Sequence, residues 1–322
     1  MPFPRAAGGF PMDPMQPERG ELALIRRLAA HLPGAPGAAV PFGDDMAALG
    51  DRGDDRRLVR RLDRAGVDFD PLRHSSAAVG RKAMAVNLSD CAAMAVTPRV
   101  ALLAVALDNR LSLDDAEELC RGAADCATEF GCRLVGGDTN SWDHPTVICV
   151  TVAASVDPGR APILRSGARP GDRILLTGPV GGSILGRHMT FTPRVSLAAG
   201  IRDTLRPTAM IDISDGLARD LGHILDASGC GALLEHEALQ AAIHDDAPML
   251  AASSGRQPLD HALGDGEDFE LIVTVPADTR DSDVRSLGLL SIGRITAEPG
   301  LFMLAPDGSR TPIEPRGWEH FT

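Results

Sequence analysis

Residues 210–217 decide the fold, and they read Met210-Ile211-Asp212-Ile213-Ser214-Asp215-Gly216-Leu217. Apolar residues alternating with Asp212 indicate a strand, and Ser214 is a candidate N-cap for a helix over residues 215–228. A strand that passes through a tight turn into a helix is typical of an α/β unit. The free N–H groups and partial positive charge of a helix N-terminus suit an anion at this turn.

The two carboxylates beside this helix N-terminus indicate a metal ion. Asp212 and Asp215 would repel a bare phosphate, whereas Mg²⁺ binds one or two carboxylates together with phosphate oxygens. The alternative is an ordinary Asp/Ser cap next to one surface acid. The stretch alone leaves both interpretations open.

Four further motifs share this composition, because each places carboxylates beside small residues where a backbone approaches a ligand closely. They are Gly43-Asp44-Asp45, Asn87-Leu88-Ser89-Asp90, Gly136-Gly137-Asp138-Thr139 and Gly266-Glu267-Asp268. We expect each motif to lie at a turn. If the aspartates converge, they can hold several magnesium ions against a polyphosphate, and phosphoryl transfer then needs no protein nucleophile.

The composition excludes several classes of protein. A chain of 322 residues with 44% hydrophobic and 24% charged residues is typical of a soluble protein with two domains. The net charge of −12 argues against a nucleic-acid partner. The longest apolar runs, such as residues 100–107, are far shorter than the roughly 20 residues of a membrane span. Without a signal-peptide pattern, the chain is predicted to be cytoplasmic.

Common catalytic motifs are absent from the sequence. Lys82 is the single lysine, and its surroundings, Val79-Gly80-Arg81-Lys82-Ala83, do not form a P-loop. No H-E-x-x-H, G-x-S-x-G or kinase V-A-I-K motif occurs. The six cysteines form no C-x-x-C pair, so we predict reduced, buried thiols.

The chain divides into a tail and two domains. Residues 1–19 are rich in Pro and Gly and are predicted to be a mobile tail. A Pro-, Gly- and Arg-rich stretch at 157–171 predicts a boundary between domains 20–158 and 159–322. Predicted helices cover 21–31, 77–94, 112–131 and 215–228, and predicted strands cover 38–42, 100–107, 132–135, 147–156, 173–177, 209–213 and 271–275, with two more near the C-terminus.

The order and wording of these motifs resemble the thiamine-monophosphate kinase family. Its superfamily also contains aminoimidazole ribonucleotide synthetase and selenophosphate synthetase. The resemblance covers nearly everything after residue 20. The matching stretches are residues 20–28, 43–45, 66–69, 80–94, 136–139, 165–167, 171–172, 211–217, 266–271 and 317–321.

The resemblance implies a two-domain, aminoimidazole ribonucleotide synthetase-like α/β (α+β) fold, whose N-terminal sheet domain forms a homodimer. It implies that ATP and the acceptor lie between the domains, and that the γ-phosphoryl group passes directly to thiamine monophosphate. By motif match the magnesium ligands are Asp45, Asp90, Asp138, Asp212 and Asp215. The ATP contacts are Gly137, Asp138, Arg165 and Ser214, and the substrate contacts are Asp68, Glu267 and Trp318. For Trp318 a C-terminal core anchor is the alternative role.

The sequence departs from the family pattern at two positions. A further metal-binding Asp of the family falls on Arg61, although Asp63 would replace it if the strand slipped by two residues, which preserves its facing. The substrate-facing His of the family is Asp68 here. Two alternatives therefore stay open. One is another ATP-dependent enzyme of the superfamily, and the other is a nucleotide-binding protein without catalysis, which Arg60 and Arg61 favour. Selenophosphate synthetase is disfavoured, because no cysteine precedes Cys91.

Overall fold

The computed structural model describes residues 38–40, 46–49, 56–315 and 317–318. These residues form two compact units. The first unit contains residues 38–162 and Gly186–Ala199, and the second contains Ile163–Leu185 and residues 200–318. The helix predicted over 21–31 and the candidate ligand Asp45 lie outside the described residues.

The first unit is a six-stranded sheet with helices packed against it. The strand order is β1-β2-β3-β6-β4-β5, and all pairs are antiparallel except β4 with β5, which the crossover helix α2 connects. The elements are β1 (Ala38–Val40), β2 (Ala47–Leu49), β3 (Arg56–Arg64), α1 (Ser76–Ala93), β4 (Thr97–Asp108), α2 (Leu113–Glu129), β5 (Arg133–Trp142), β6 (Val147–Ser155) and α3 (Arg187–Thr190).

Helices α1 and α2 meet through two glycines. A Cβ atom added to Gly80 would overlap the backbone carbonyl of Leu119, and one added to Gly122 would overlap that of Ala77. Only glycine therefore allows the two backbones to approach this closely. Ser112 caps α2, because its Oγ accepts a hydrogen bond from the backbone N–H of Asp115 at 3.1 Å.

The two faces of this sheet differ. Leu103 and Val105 of β4 are buried, as are the residues of β6 that face the same side. On the other side Leu102 is 48% exposed. We call this second side the open face and define it by residues at alternate positions of β4 and β6, which are Val100, Leu102, Ala104, Ala106, Val147, Cys149, Thr151 and Ala153.

The second unit is a seven-stranded sheet in the order β13-β12-β9-β11-β7-β10-β8. Its pairs are antiparallel except β12 with β9. Strands β7, β10 and β8, at one end of this order, are nearly completely buried. The elements are β7 (Arg173–Leu176), a 3₁₀ turn (Ser183–Leu185), α4 (Val195–Leu205, of which residues 195–199 belong to the first unit), β8 (Ala209–Asp212), α5 (Leu217–Ser228), β9 (Gly231–Glu235), α6 (His236–Ala241), α7 (Asp246–Ser254), α8 (Pro258–Gly264), β10 (Leu271–Val275), α9 (Asp281–Ser286), β11 (Leu290–Thr296), β12 (Gly300–Leu304) and β13 (Arg310–Pro312).

The structure corrects three predictions of local structure. Strand β5 continues to Trp142, because it pairs with β4 along its length, so residues 136–139 lie in a strand and not at a turn. Residues 87–90 also form no turn, because they lie within helix α1, which confirms the helix predicted over 77–94. The C-terminal region has three strands after β10 and not two.

Two further properties concern the helices as candidate membrane spans and the burial of the cysteines. No helix in the described part of the chain is both long and apolar enough to cross a membrane. All six cysteines are free, and all except Cys120 are buried, which confirms the predicted buried thiols at five positions. Burial raises the pKa of Cys126 to about 12 and that of Cys132 to about 11, so both stay protonated at neutral pH.

Candidate active site

The turn that follows β8 is joined by backbone hydrogen bonds to the segment before β10. Asp212 ends β8 opposite Leu271 and is only 1% exposed. Ile213 then donates its N–H to Glu270 at 2.8 Å, and its carbonyl accepts the N–H of Phe269 at 2.8 Å. Residues 212–214 and 266–270, two of the sequence motifs, thus form one structural element within the second unit.

Glu267 is held in an uncommon backbone conformation. Its φ is +62° and that of Phe269 is +52°, in the left-handed region that costs a non-glycine residue free energy. The N–H of Glu267 donates to the carbonyl of Ser214 at 2.8 Å, and this bond holds the turn in place. A Cβ atom on Gly266 would lie 2.5 Å from the same carbonyl oxygen, so the position requires glycine. Ser214 and Glu267, predicted to contact ATP and substrate respectively, are therefore adjacent.

Asp220, which the sequence did not single out, organises the turn from within helix α5. Its Oδ2 accepts hydrogen bonds from the backbone N–H groups of Ser214, Asp215 and Gly216, each at 3.0 Å. The N-cap residue is Gly216, so the predicted capping role of Ser214 is wrong. Burial, followed by the nearby charges of Asp215 and Asp212, raises the pKa of the Asp220 carboxyl. An Asp four residues after a Gly-containing turn is the sequence signal for this contact.

The C-terminal segment packs on the same turn. Trp318 donates its backbone N–H to the carbonyl of Asp215 at 3.0 Å. A Cβ atom on Gly317 would lie 2.6 Å from that oxygen. The Trp318 side chain is 56% exposed, which argues against the alternative role as a core anchor. The Asp215 carboxylate lies 3.5 Å from the guanidinium of Arg219.

Arg165 lies beside β8. The carbonyl of its neighbour Leu164 accepts the N–H of Met210 at 3.1 Å, two residues before Asp212. The carbonyl of Arg165 itself accepts a hydrogen bond from the hydroxyl of Ser228 at 3.4 Å. The structure therefore places Arg165 along the strand that leads into the turn.

The predicted ligands of the first unit occupy two different settings. Asp90 lies in α1 and is 2% exposed, next to the fully buried Asn87 and Ser89. Asp138 is exposed on β5, opposite Ala104, and its carboxylate accepts the N–H of Thr139 at 3.0 Å. Its neighbour Gly137 must be glycine, because an added Cβ would overlap the backbone of Leu103.

Asp68 lies in a compact turn after β3. Its Oδ2 accepts the backbone N–H of Arg64 at 2.8 Å, and its carbonyl accepts a hydrogen bond from the buried Nζ of Lys82. A cavity of about 350 Å³ adjoins this turn, with Val67, Trp142 and His144 among its lining residues. The sequence pattern did not single out the contact of Lys82 with this turn.

Arg61, which replaces an acid of the family pattern, and the nearby Asp63 lie on a regular strand. Strand β3 pairs with β6 in an unbroken register from Arg56 to Arg64, which places Arg61 opposite Val150 and Asp63 opposite Ile148. Asp63 is 6% exposed and faces the side of the sheet on which the β6 residues Ile148 and Val150 are buried. A carboxylate of β3 is thus buried on this face of the first unit.

Residues 213–216 connect β8 to α5 and are called the β8–α5 turn. The donors around this turn suit a hard cation. The carboxylates of Asp212 and Asp215 could supply oxygen ligands, which Mg²⁺ prefers. Ligand atoms of Asp215, Asp220 and His223 lie within 4.8 Å of one another. Asp212 and Asp215 raise the pKa of Asp220, so a cation would relieve a like-charge conflict that is present in this unit.

The fold places the chain in the AIR synthase-like class. Residues 43–156 match the family model of the AIR synthase related protein, N-terminal domain. The protein described as AaThiL complexed with AMPPCP and TMP superimposes with a TM-score of 0.81 at 27% identity, covering 94% of this chain and 97% of that chain.

Sequence relatives identify the family within this class. The thiamine-monophosphate kinase of Rhodopirellula baltica is 37% identical over 316 residues, covering 94% of this chain and 97% of the relative. That of Salmonella typhimurium is 34% identical over 282 residues, covering 79% and 82%. The chain belongs to the thiamine-monophosphate kinase family and is an enzyme of the thiamine-phosphate kinase class.

Proposed function

We propose that the protein transfers the γ-phosphoryl group of ATP directly to the phosphate of thiamine monophosphate. The bond between the γ-phosphorus and the β,γ-bridging oxygen breaks, a bond to an acceptor phosphate oxygen forms, and the products are ADP and thiamine diphosphate. The observation that carries the proposal is the β8–α5 turn, on which Glu267 and the backbone of Trp318 are held by hydrogen bonds. The kinase relatives and the neighbour with AMPPCP and TMP support it.

Asp212 and Asp215 are proposed to hold magnesium in the second unit, and Asp45, Asp90 and Asp138 are the proposed ligands elsewhere. Bound magnesium would neutralise charge on the polyphosphate and orient it for in-line transfer. Asp212 is fixed by strand pairing, and Asp215 is fixed by the turn. Positioned carboxylates of this kind fit a mechanism without a protein nucleophile.

Gly137, Asp138, Arg165 and Ser214 are the proposed ATP contacts. Gly137 is required as glycine by its close packing on Leu103, and it precedes the exposed Asp138 on β5. Ser214 lies two residues before Gly216, the N-cap of α5, close to the helix end whose dipole favours a phosphate. The positive charge of Arg165 is suited to the phosphates of the nucleotide.

Asp68, Glu267 and Trp318 are the proposed contacts of the acceptor. Thiamine carries a flat cationic ring, which an exposed indole face and two carboxylates attract.

The Trp318→Ala variant should therefore raise the KM for thiamine monophosphate about tenfold and leave the KM for ATP within twofold, as about 1.4 kcal/mol of lost stacking predicts. An unchanged KM for the acceptor would remove Trp318 from the substrate site.

The acceptor can be tested by the release of ADP. Purified protein with ATP and Mg²⁺ is given thiamine monophosphate, thiamine, aminoimidazole ribonucleotide precursors or no acceptor. We expect rapid release with thiamine monophosphate only. Release with another acceptor would favour a different enzyme of the superfamily. Tight ATP binding without any release would favour the alternative of a nucleotide-binding protein that has lost catalysis, which rests on Arg60 and Arg61 in the sequence.

We further propose a cytoplasmic homodimer formed through the open face, with small-molecule ligands and no nucleic-acid or membrane partner. The domain limits 20–158 and 159–322 remain part of this proposal. The open face presents Leu102 at 48% exposure on an apolar strand surface.

Sedimentation should give twice the chain mass for the wild-type protein, and Leu102→Glu should give the monomer. Leu72→Glu, at a 94% exposed leucine outside the open face, is the matched control and should stay dimeric. A monomeric wild-type protein would overturn the homodimer.

A further inference from the structure

The geometry of Asp220 is unusual for a residue of a helix first turn. The carboxylate is 2% exposed, and one oxygen accepts the N–H groups of three consecutive residues, Ser214, Asp215 and Gly216. These residues precede the helix, which begins at Leu217. The contact therefore fixes the conformation of the turn itself and does more than cap the helix.

The position of this carboxylate carries an electrostatic cost. A buried carboxylate loses its hydration, and Asp212 and Asp215 add like charge beside it. Three hydrogen bonds offset part of this cost. The three hydrogen bonds, and not the charge of the carboxylate, are the observation from which a role of Asp220 in the turn follows.

We propose that Asp220 is a positioning residue, which aims the carboxylate of Asp215 so that it binds magnesium together with Asp212. The proposal rests on the proposed function only in naming magnesium. Asp215 links Asp220 to the proposed metal site. Its N–H donates to Asp220, and its carboxylate belongs to the group of ligand atoms from Asp215, Asp220 and His223. Partners outside the immediate ligand shell typically change metal affinity by about 10- to 100-fold when mutated.

The test measures metal binding without any acceptor. Mn²⁺ serves as the probe, because it shares the oxygen-rich octahedral preference of Mg²⁺, and free Mn²⁺ is followed by electron paramagnetic resonance with Mg²⁺ as competitor. The Asp220→Asn variant keeps the size of the side chain but replaces one oxygen by an NH₂ donor. We expect it to bind Mn²⁺ about tenfold more weakly than wild type. Asp226→Asn, at an exposed position further along α5, is the control and should match wild type.

Two outcomes would overturn the proposal. One is Mn²⁺ affinity within twofold of wild type in folded Asp220→Asn, even with a lower Tm, because Asp220 would then be a structural cap. If the Asn variant does not fold, Asp220→Glu replaces it, since an extra methylene misplaces the oxygen but keeps the charge. Wild-type affinity in the Glu variant is the second overturning outcome. Weakened Mn²⁺ binding in a protein that never phosphorylates thiamine monophosphate would support Asp220 while the proposed function fails.

Discussion

Replacing Asp212 by Asn is expected to lower kcat by about 100- to 1,000-fold and to leave the fold intact. A loss of this size corresponds to about 2.7–4 kcal/mol of transition-state stabilisation, the range for removal of one preorganised electrostatic partner. The fold should survive because the backbone pairing of β8 with β10 does not involve the side chain. Without metal, the variant should even be as stable as wild type, since one charge beside Asp220 is removed.

The measurement is ADP release under saturating ATP and thiamine monophosphate, with circular dichroism as the test of folding. The Asp226→Asn variant, at an exposed position of α5, controls for loss of one negative charge and should retain wild-type kcat. Wild-type activity in Asp212→Asn would remove Asp212 from the set of metal ligands.

Adding one methyl group to Gly80 is expected to destabilise the first unit strongly. The Cβ atom of Gly80→Ala would overlap the backbone carbonyl of Leu119, so α1 and α2 must separate. Overpacking of this kind typically costs about 1–3 kcal/mol, and a clash with backbone belongs at the upper end. Helix α1 also carries Asp90, so activity should fall together with stability.

Gly200→Ala is the matched control in another helix. The nearest atom to its new Cβ is the Leu287 Cδ2 at 3.5 Å, an ordinary contact. Alanine has the higher helix propensity by up to about 1 kcal/mol, so this variant should be neutral or more stable. Urea unfolding checks both variants. A Gly80→Ala protein as stable as Gly200→Ala would contradict the close packing of α1 and α2.

The sequence predicted the elements whose signals are local. Helix α2 follows from Ser112 and its apolar periodicity, and β8 with its turn follows from alternating residues and a glycine. The length of β5 could not be predicted, because exposed residues such as Asp138 and Asn140 become strand only through pairing with β4. Tertiary pairing here overrides local propensity.

In the candidate site, too, local sequence signals marked some residues, whereas the roles of others follow only from the folded chain. The acidic motifs marked Asp212 and Asp215, but the role of Asp220 depends on how the chain folds back over its first helical turn. The left-handed conformation of Glu267 is likewise maintained by its bond to Ser214 and not by its own propensity. Such contacts join residues that no periodicity connects.

The central claim is transfer of the ATP γ-phosphoryl group to thiamine monophosphate. Phosphorus NMR of one reaction mixture tests it directly, because ATP, ADP, inorganic phosphate and thiamine diphosphate give separate signals. We predict that the loss of the γ-phosphorus signal is matched one for one by new thiamine diphosphate. Loss of ATP to inorganic phosphate, or unchanged ATP in the presence of Mg²⁺ and thiamine monophosphate, would contradict the account.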